Sequence, residues 1–570
     1  MQSTRLFTTL IAGVVWLAAL PAARAEHGGP APAIAVAAAV ATPSPRVEAK
    51  PFPIFQGLGP RRLTVTTASD EAQIHFDQGL AWAYGFNHWA AAQAFRAAQA
   101  ADPNCAMCYW GEAYVLGPNI NDPMHDEALQ PAFRAAAAAM ALRAGASVQE
   151  RALIEALAKR YSADPKADRA ALDQTYAAAM RAVAATYPND VDVLVLYAEA
   201  LMDLQPWDYW EADGGTPRGH GGEVIAILER ALRIDRHHPQ AIHLYIHAVE
   251  ASTTPERAEP HADRLAELMP GSGHLVHMPS HTYYRIGRYQ DTYVANQAAA
   301  QVDEAYLARV AAEPTDIYVA GYYPHNVHFM VVSAQMTGAH AEAIAAAERL
   351  GSASSDDIAA AVPLVQAIKT ATITAHAQLS EAETILALPE PAARFPLVRA
   401  FWHYARGLAY VRRNELAAAA AERQAIAELA KAADLGALVA GMVPAPELFR
   451  IATLVLEGRI ARAKGDLGGA VRAFEAAVAT QDAVPYMEPA YWYYPVRQTL
   501  AATHLMNGDA AAAEAGFLAA LAETPGNGWA LFGLMRCQEK LGRTAEAAAT
   551  RARLDAVWRG DRDLLKLERL

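Results

Sequence analysis

The sequence predicts an all-α protein, a solenoid of antiparallel helical hairpins with inserted loops. Three observations carry this reading. Small and aromatic residues recur at a fixed interval: Gly508 and Gly542 lie 34 residues apart, and Ala513 and Ala547 keep the same distance. Runs of β-branched residues alternating with polar ones, the mark of half-buried strands, are scarce. The composition is 53% hydrophobic and 19% charged with abundant Ala, and Ala is the small residue that lets two helices approach closely.

The same numbers exclude several classes of function. At about 100–200 residues per domain, 570 residues imply several domains or one long array. Lys and Arg number 48 against 61 Asp and Glu, a net charge of −13. No concentrated basic face is visible, so a nucleic-acid partner is not expected. Three Cys cannot build a disulfide framework. Beyond the first 20 residues no apolar run is long enough for a membrane helix.

Taken in order, residues 1–25 read as a signal peptide. Arg5 forms a basic start, Leu6 to Leu20 an apolar stretch, and Ala23-Arg24-Ala25 a small-residue cleavage pattern. Cleavage after Ala25 would release a periplasmic or secreted chain with no membrane insertion. Residues 26–69 are rich in Ala, Pro, Gly and Val without a period, and read as a disordered linker. Asp70 is a plausible N-cap for the first helix.

The first repeat places Gly79, Trp82, Ala91, Phe95, Ala98 and Pro103 at the spacing of the 34-residue tetratricopeptide pattern. Other copies centre on Gly287, Gly338, Gly407 and Gly458, and Phe517, Ala520 and Pro525 complete the copy that begins before Gly508. Two stretches, 117–126 and 205–222, interrupt the period; the second contains Trp207, Tyr209 and Trp210. A softer junction at 351–362 divides an N-terminal tetratricopeptide-like array, 70–350, from a C-terminal one, 363–560.

Chemistry is concentrated in the His residues, ten of which lie between His237 and His328. With Pro239 and Gly273 as repeat starts, His243 and His247 take the fifth and ninth places of one first helix. His277 and His281 take the same places in the next. A third, less regular copy beginning near Pro324 puts His325 and His328 in phase with His274 and His277, given an insertion between 300 and 322. These places lie on the stripe that such arrays turn toward their concave groove, and i,i+4 partners share one helix face. Seven imidazoles therefore converge on one patch of a His-lined groove. Clustered imidazoles are good metal ligands, and a His-dominated site selects copper or zinc, with iron and nickel also suited, over magnesium or calcium. Glu250, one turn beyond His247, serves as a ligand or as an outer carboxylate that orients an imidazole.

Cys105 and Cys108 open a helix after Asp102-Pro103-Asn104, and the spacing suits a structural disulfide, a redox pair or a metal-ligand pair. Tyr109 replaces the His that covalent haem attachment requires, so no covalent haem is expected. Cys537 reads as a packed thiol. No nucleotide-binding loop or fingerprint is present, nor HExxH or GxSxG. The aromatic run Tyr486 to Pro495 reads as a packed joint between repeats or as a groove wall.

Several strings, FDQGLAWAYGFNHWAAAQAF, DPNCAMCYWGEAYVLGPNIN, HLYIHAVEAS, GHLVHMPSHTYYRIGRY and YMEPAYWYYPVR, together resemble a group of exported bacterial tetratricopeptide proteins. The resemblance spans most of residues 60–540 and implies the solenoid fold and export, with no activity attached. Members of that group often carry a His pair near the start, where this chain has Arg61-Arg62. Two functions compete on this reading. One is a metal-binding solenoid, catalytic if a coordination position stays open. The other is a non-enzymatic scaffold that binds a peptide or protein partner in the groove.

Overall fold

A computed structural model describes residues 52–310 and 317–570. The expected signal peptide and most of the expected linker lie outside the described residues. Residues 54–570 form one compact unit. It is built of helices joined by short turns, and the described residues contain no strand beyond two isolated bridges. Among them no helix is long and apolar enough to cross a membrane.

The first hairpin pairs Asp70–Tyr84 with His88–Ala101. Its N-cap is Ser69 rather than Asp70: the Ser69 side chain accepts the Ala72 N–H, and Asp70 sits in the first turn. The repeat signature has a steric origin. A Cβ on Gly111 would lie 2.3 Å from the Phe95 ring, one on Gly458 2.5 Å from Phe474, and one on Gly533 2.1 Å from Phe517. All three Phe side chains are fully buried. Each ring thus fills the space that a missing side chain leaves on a neighbouring helix. Gly533→Ala is expected to cost about 1–3 kcal/mol through overpacking, read as a lower urea midpoint with unchanged helical circular dichroism.

The expected linker requires correction at its C-terminal end. Ile54 to Ser69 is a strap packed on the helices. Phe55 stacks edge-on to Trp82 at 5.3 Å, and Leu58 and Val65 are buried. Its backbone polar groups are met by side chains and loop backbone: Phe55 N–H donates to Gln78, Val65 N–H to Gln73 and Thr66 N–H to Glu150, while Gly57 C=O accepts from Gly271 N–H. An aperiodic Pro/Gly-rich composition hides such a segment, because its anchors are few and many of its hydrogen bonds reach residues distant in sequence.

The expected junction at 351–362 is not a break between compact units. It comprises the end of helix His340–Ala353 and the short helix Asp356–Ala361. Farther along, the C-terminal end of the chain returns to the middle: Trp529 Nε1–H donates to Gln335 C=O, and Arg559 N–H to Thr337 C=O. Gly338 sits at φ +71° with the Trp558 ring where a Cβ would be, so only glycine fits that helix end.

The His-bearing segments are Pro239–Val249, Gly273–His277, Pro279–Arg285 and Tyr323–Thr337. Pro279 divides the second from the third, since it lacks the N–H that would continue the helix. A π-helical turn, Tyr318–Tyr322, leads into the last.

Candidate metal centre

Six of the seven expected His form two adjacent groups of three. His243, His247 and His274 make one; His277, His281 and His325 make the other. Within each group the nearest ring nitrogens lie within 4.8 Å of one another. Four bonds of 2.0–2.1 Å in a tetrahedron separate ligand nitrogens by about 3.3 Å. The observed Nε2–Nε2 separations of 3.2 Å (His243–His274), 2.8 Å (His277–His281) and 3.4 Å (His281–His325) bracket that value. The two triads adjoin, with His247 and His281 rings 5.5 Å apart and His274 and His277 rings 5.8 Å apart; His328 is in neither group, though its charge is felt at His325.

The expectation of an open groove is also corrected. His243, His247, His274, His277 and His281 are all at most 2% exposed, and His325 alone is half-buried. The cover comes from elements that periodicity does not place. Phe86, in the turn after the first helix, lies 4.4 Å from the His243 ring and stacks on His247 and His274. Trp207, from the 205–222 loop, meets His247 edge-on at 4.9 Å. Tyr322, from the π-helical turn, lies 4.4 Å from His274. Phe329 packs 5.0–5.2 Å from all three rings of the second triad. Phe86 and Trp207 both hold left-handed backbone, at φ 52° and 66°. Such conformations cost about 1–3 kcal/mol each and cluster at functional sites.

The hydrogen bonds decide which nitrogen of each ring faces inward. His243 donates Nδ1–H to Tyr84 C=O at 2.8 Å, which joins the first helix to the His helices. His247 donates Nδ1–H to Glu250 Oε1 at 2.9 Å, and His281 donates Nδ1–H to Glu250 Oε2 at 2.5 Å. His277 donates Nδ1–H to Asn296 Oδ1 at 2.6 Å. The amide orientation of Asn296 is fixed because its Nδ2–H donates to Thr292 C=O. In each of these four rings a Nδ1–H engaged by an acceptor leaves Nε2 as the ligand atom. His247 Nε2 and His274 Nδ1 are buried with no partner, an arrangement that is costly unless something fills it.

Glu250 spans the two triads, one carboxylate oxygen to each, and is itself 1% exposed. Burial pushes its carboxyl up, but the charge of His281 and the hydrogen bonds from His247 and His281 outweigh this and hold it down at about 2. Conversely, burial disfavours charge on His281, yet Glu250 raises it above its ordinary value. Burial and the neighbouring imidazoles push His243, His274, His277 and His325 well below theirs. Among these imidazoles Glu250 thus favours protonation of His281 in particular. Imidazole nitrogens hold a metal only when unprotonated, so a metal held there would compete with protons and bind more weakly as pH falls.

Outside the triads, burial holds His328 at about 4, and burial foremost does the same to His88. The unfolded value is near 6.5. A depressed folded value means that stability is full above about 6.5 and is lost as pH falls toward 4, at up to about 1.4 kcal/mol per pH unit for each group. Chelator-treated protein is therefore expected to show a urea midpoint that drops between pH 6.5 and 5, a trend that circular dichroism follows directly.

Cys105 and Cys108 are joined in a disulfide, with Cys105 as the N-cap of Ala106–Val115. The pair belongs to neither His group. Burial foremost pushes the Cys537 thiol up to about 12, in keeping with a packed side chain. Arg61 pairs with Asp192 and Asp235 and is in neither His group. The aromatic run serves two ends. Trp492, Tyr493 and Tyr494 pack in the core, whereas Tyr486 donates to Glu488. Burial foremost pushes Glu488 up to about 7, its charge is felt by His281, and its Oε2 has no partner.

The residues that periodicity missed are Phe86, Tyr322, Phe329, Asn296 and Glu488. For Asn296 a signal was available, as a polar residue on the inner face of the second helix of its hairpin. For Phe86 the signal was the string GFNHW, one of those that carry the resemblance.

Residues 504–568 match the tetratricopeptide repeat family. No curated protein sequence matches the chain. Among solved structures, the chain is similar to a human IFIT1 dimer with m7Gppp-AAAA, at 11% identity over 86% of this chain and 91% of that one, with a TM-score of 0.31. The APC/C hetero-tetramer Cut9–Hcn1 matches at 12% identity, covering 89% and 78%, with a TM-score of 0.28. The P58(IPK) TPR domain matches at 11% identity, covering 83% and 99%, with a TM-score of 0.18.

Proposed function

We propose that this chain is an exported tetratricopeptide-type solenoid that binds two transition-metal ions, each on three imidazoles in its interior. The observation that carries the reading is the set of ring nitrogens turned inward in two compact groups, four of them fixed as ligand atoms by hydrogen bonds on the far side of the ring. All-imidazole donors favour copper or zinc, with iron next. The disulfide and the signal-like start support an oxidising compartment, the periplasm or the exterior.

Three protein ligands leave a coordination position free, the pattern of catalytic rather than purely structural sites. A metal so held supplies Lewis-acid polarisation or an activated water. The chain's own residues orient the imidazoles through Glu250, Asn296 and Tyr84, and exclude water with Phe86, Trp207 and Phe329. The match at 504–568 supports a second role for that end of the chain, as a surface for a peptide or protein partner.

Elemental analysis of the exported protein, purified without a His-rich tag, tests the metal reading. Two copper or zinc ions per chain are expected, one in His277→Ala/His281→Ala and one in His243→Ala/His274→Ala. A folded protein that carries none, and takes up no added copper, zinc or iron, would overturn it.

A further inference from the structure

Away from the His triads, a cavity of about 300 Å³ opens beside the C-terminal segment, lined by Arg412, Arg459, Arg462 and Arg569 together with Tyr493 and Tyr494. Four guanidinium groups in one concavity are unexpected in a chain of net charge −13. Their compensation is mostly uncharged. Arg412 donates to the Ser380 and Ala377 carbonyls at the end of helix Leu364–Leu379. Arg459 donates to Glu568 C=O at 3.0 Å, and Arg462 to the same carbonyl at 2.6 Å.

Carboxylates are few. Glu568 lines the cavity, and Arg569 pairs with Glu381 at 3.1 Å, a residue whose side chain is 75% exposed. Arg462 also donates to the terminal carboxyl of Leu570 at 3.3 Å, and counting all three against the four arginines leaves one positive charge in excess. The strain of this crowding is visible in the groups themselves: burial, then Arg569 and Arg459, lower Arg412 to about 10, and burial, then Arg459, lower Arg462 as well. Two donors also point nowhere. Arg459 Nε and Arg569 Nη1 are buried without a hydrogen-bond partner, and Arg459 is only 8% exposed.

We propose that this cavity is an anion-binding site that takes a small oxyanion with several acceptor oxygens. Planar guanidinium forks match phosphate and carboxylate oxygens two at a time. The remaining positive charge and the two unpartnered guanidinium donors call for an anion with several acceptor oxygens. The volume is at the lower end of the range for small-molecule sites, which suits a compact phosphate ester or polycarboxylate rather than a nucleotide or a peptide.

Calorimetric titration of the full chain with inorganic pyrophosphate and, separately, with citrate tests the proposal and distinguishes phosphate from carboxylate chemistry. At least one is expected to bind with a dissociation constant of about 10⁻⁶–10⁻⁴ M and to weaken with added salt. Chloride at equal ionic strength should give no saturable heat. Arg459→Gln and Arg569→Gln should each weaken binding about tenfold or more. Arg569→Gln touches no backbone carbonyl, so it separates anion binding from support of the C-terminal segment, and thermal melts establish that both variants fold. Binding of neither anion to the wild-type protein would overturn the proposal. So would equal binding by both variants, because the arginines would then serve only to hold the chain.

Discussion

Glu250→Ala is expected to weaken metal binding at both triads together, by about 10–100-fold at each. Among the described residues, Glu250 alone accepts hydrogen bonds from both triads. Oε1 of Glu250 accepts from His247 in the first triad and Oε2 from His281 in the second. Removing the carboxylate frees both rings to rotate and to change tautomer, so their Nε2 atoms lose their aim. It also removes the anion that balances charge brought into a buried site. Leaving two buried N–H donors without acceptors costs about 1–3 kcal/mol each, so the metal-free variant should also unfold at lower urea. Glu250→Gln separates the two effects. Its single carbonyl oxygen can serve one imidazole only, and one triad should retain near-normal affinity while the other loses it. Competition titrations with a chelator read both affinities. Unchanged affinities in a folded Glu250→Ala protein would show that the imidazoles are aimed by packing alone.

The second large effect is expected at Arg160, which is 1% exposed. Its guanidinium donates to Asp173 at 2.9 Å, to Asp203 at 2.7 Å and to Pro118 C=O at 3.3 Å, with the Tyr176 ring 4.9 Å away. It therefore ties helix Arg169–Thr186, the end of helix Val191–Met202 and the 117–126 loop to one another. Arg160→Met keeps much of the volume and removes the charge, which leaves Asp203 buried without its cation. Breaking a buried pair from one side typically costs about 3–5 kcal/mol. Arg160→Met/Asp203→Asn should recover part of that loss, since the uncompensated charge goes too. Urea unfolding of the three proteins decides this, and additive losses would show that the pair is not coupled. Trp207 Nε1–H donates to Ile120 C=O in the loop that Arg160 supports, so the single variant should also loosen the cover of the first triad.

The solenoid and the His set were both legible in the chain because each is periodic. A 34-residue recurrence reports the local contact between two helices of a hairpin and the next, as Phe95 against Gly111 and Phe517 against Gly533 demonstrate. Phase within that period put His243, His247, His277 and His281 on matching faces, whereas His325, aligned with His274, lies with His277 and His281. His328, three residues further along the same helix, belongs to neither group, although its charge is felt at His325. The strap at 54–69 was missed since its partners, Gln78, Glu150 and Asp192 among them, are distant in sequence and follow no period.

What the sequence determined by itself is the helical repeat and the imidazoles it carries on one face, because both follow from spacing along a helix. Tertiary structure alone decided that those imidazoles are enclosed, that they divide into two groups of three, and that Glu250 reaches both. Those outcomes depend on where the array curves the first hairpin and the 205–222 loop back onto the His helices, as the bond from His243 to Tyr84 records. Curvature is the sum of small rotations over many repeats together with the loops that interrupt them. No short-range pattern encodes that sum.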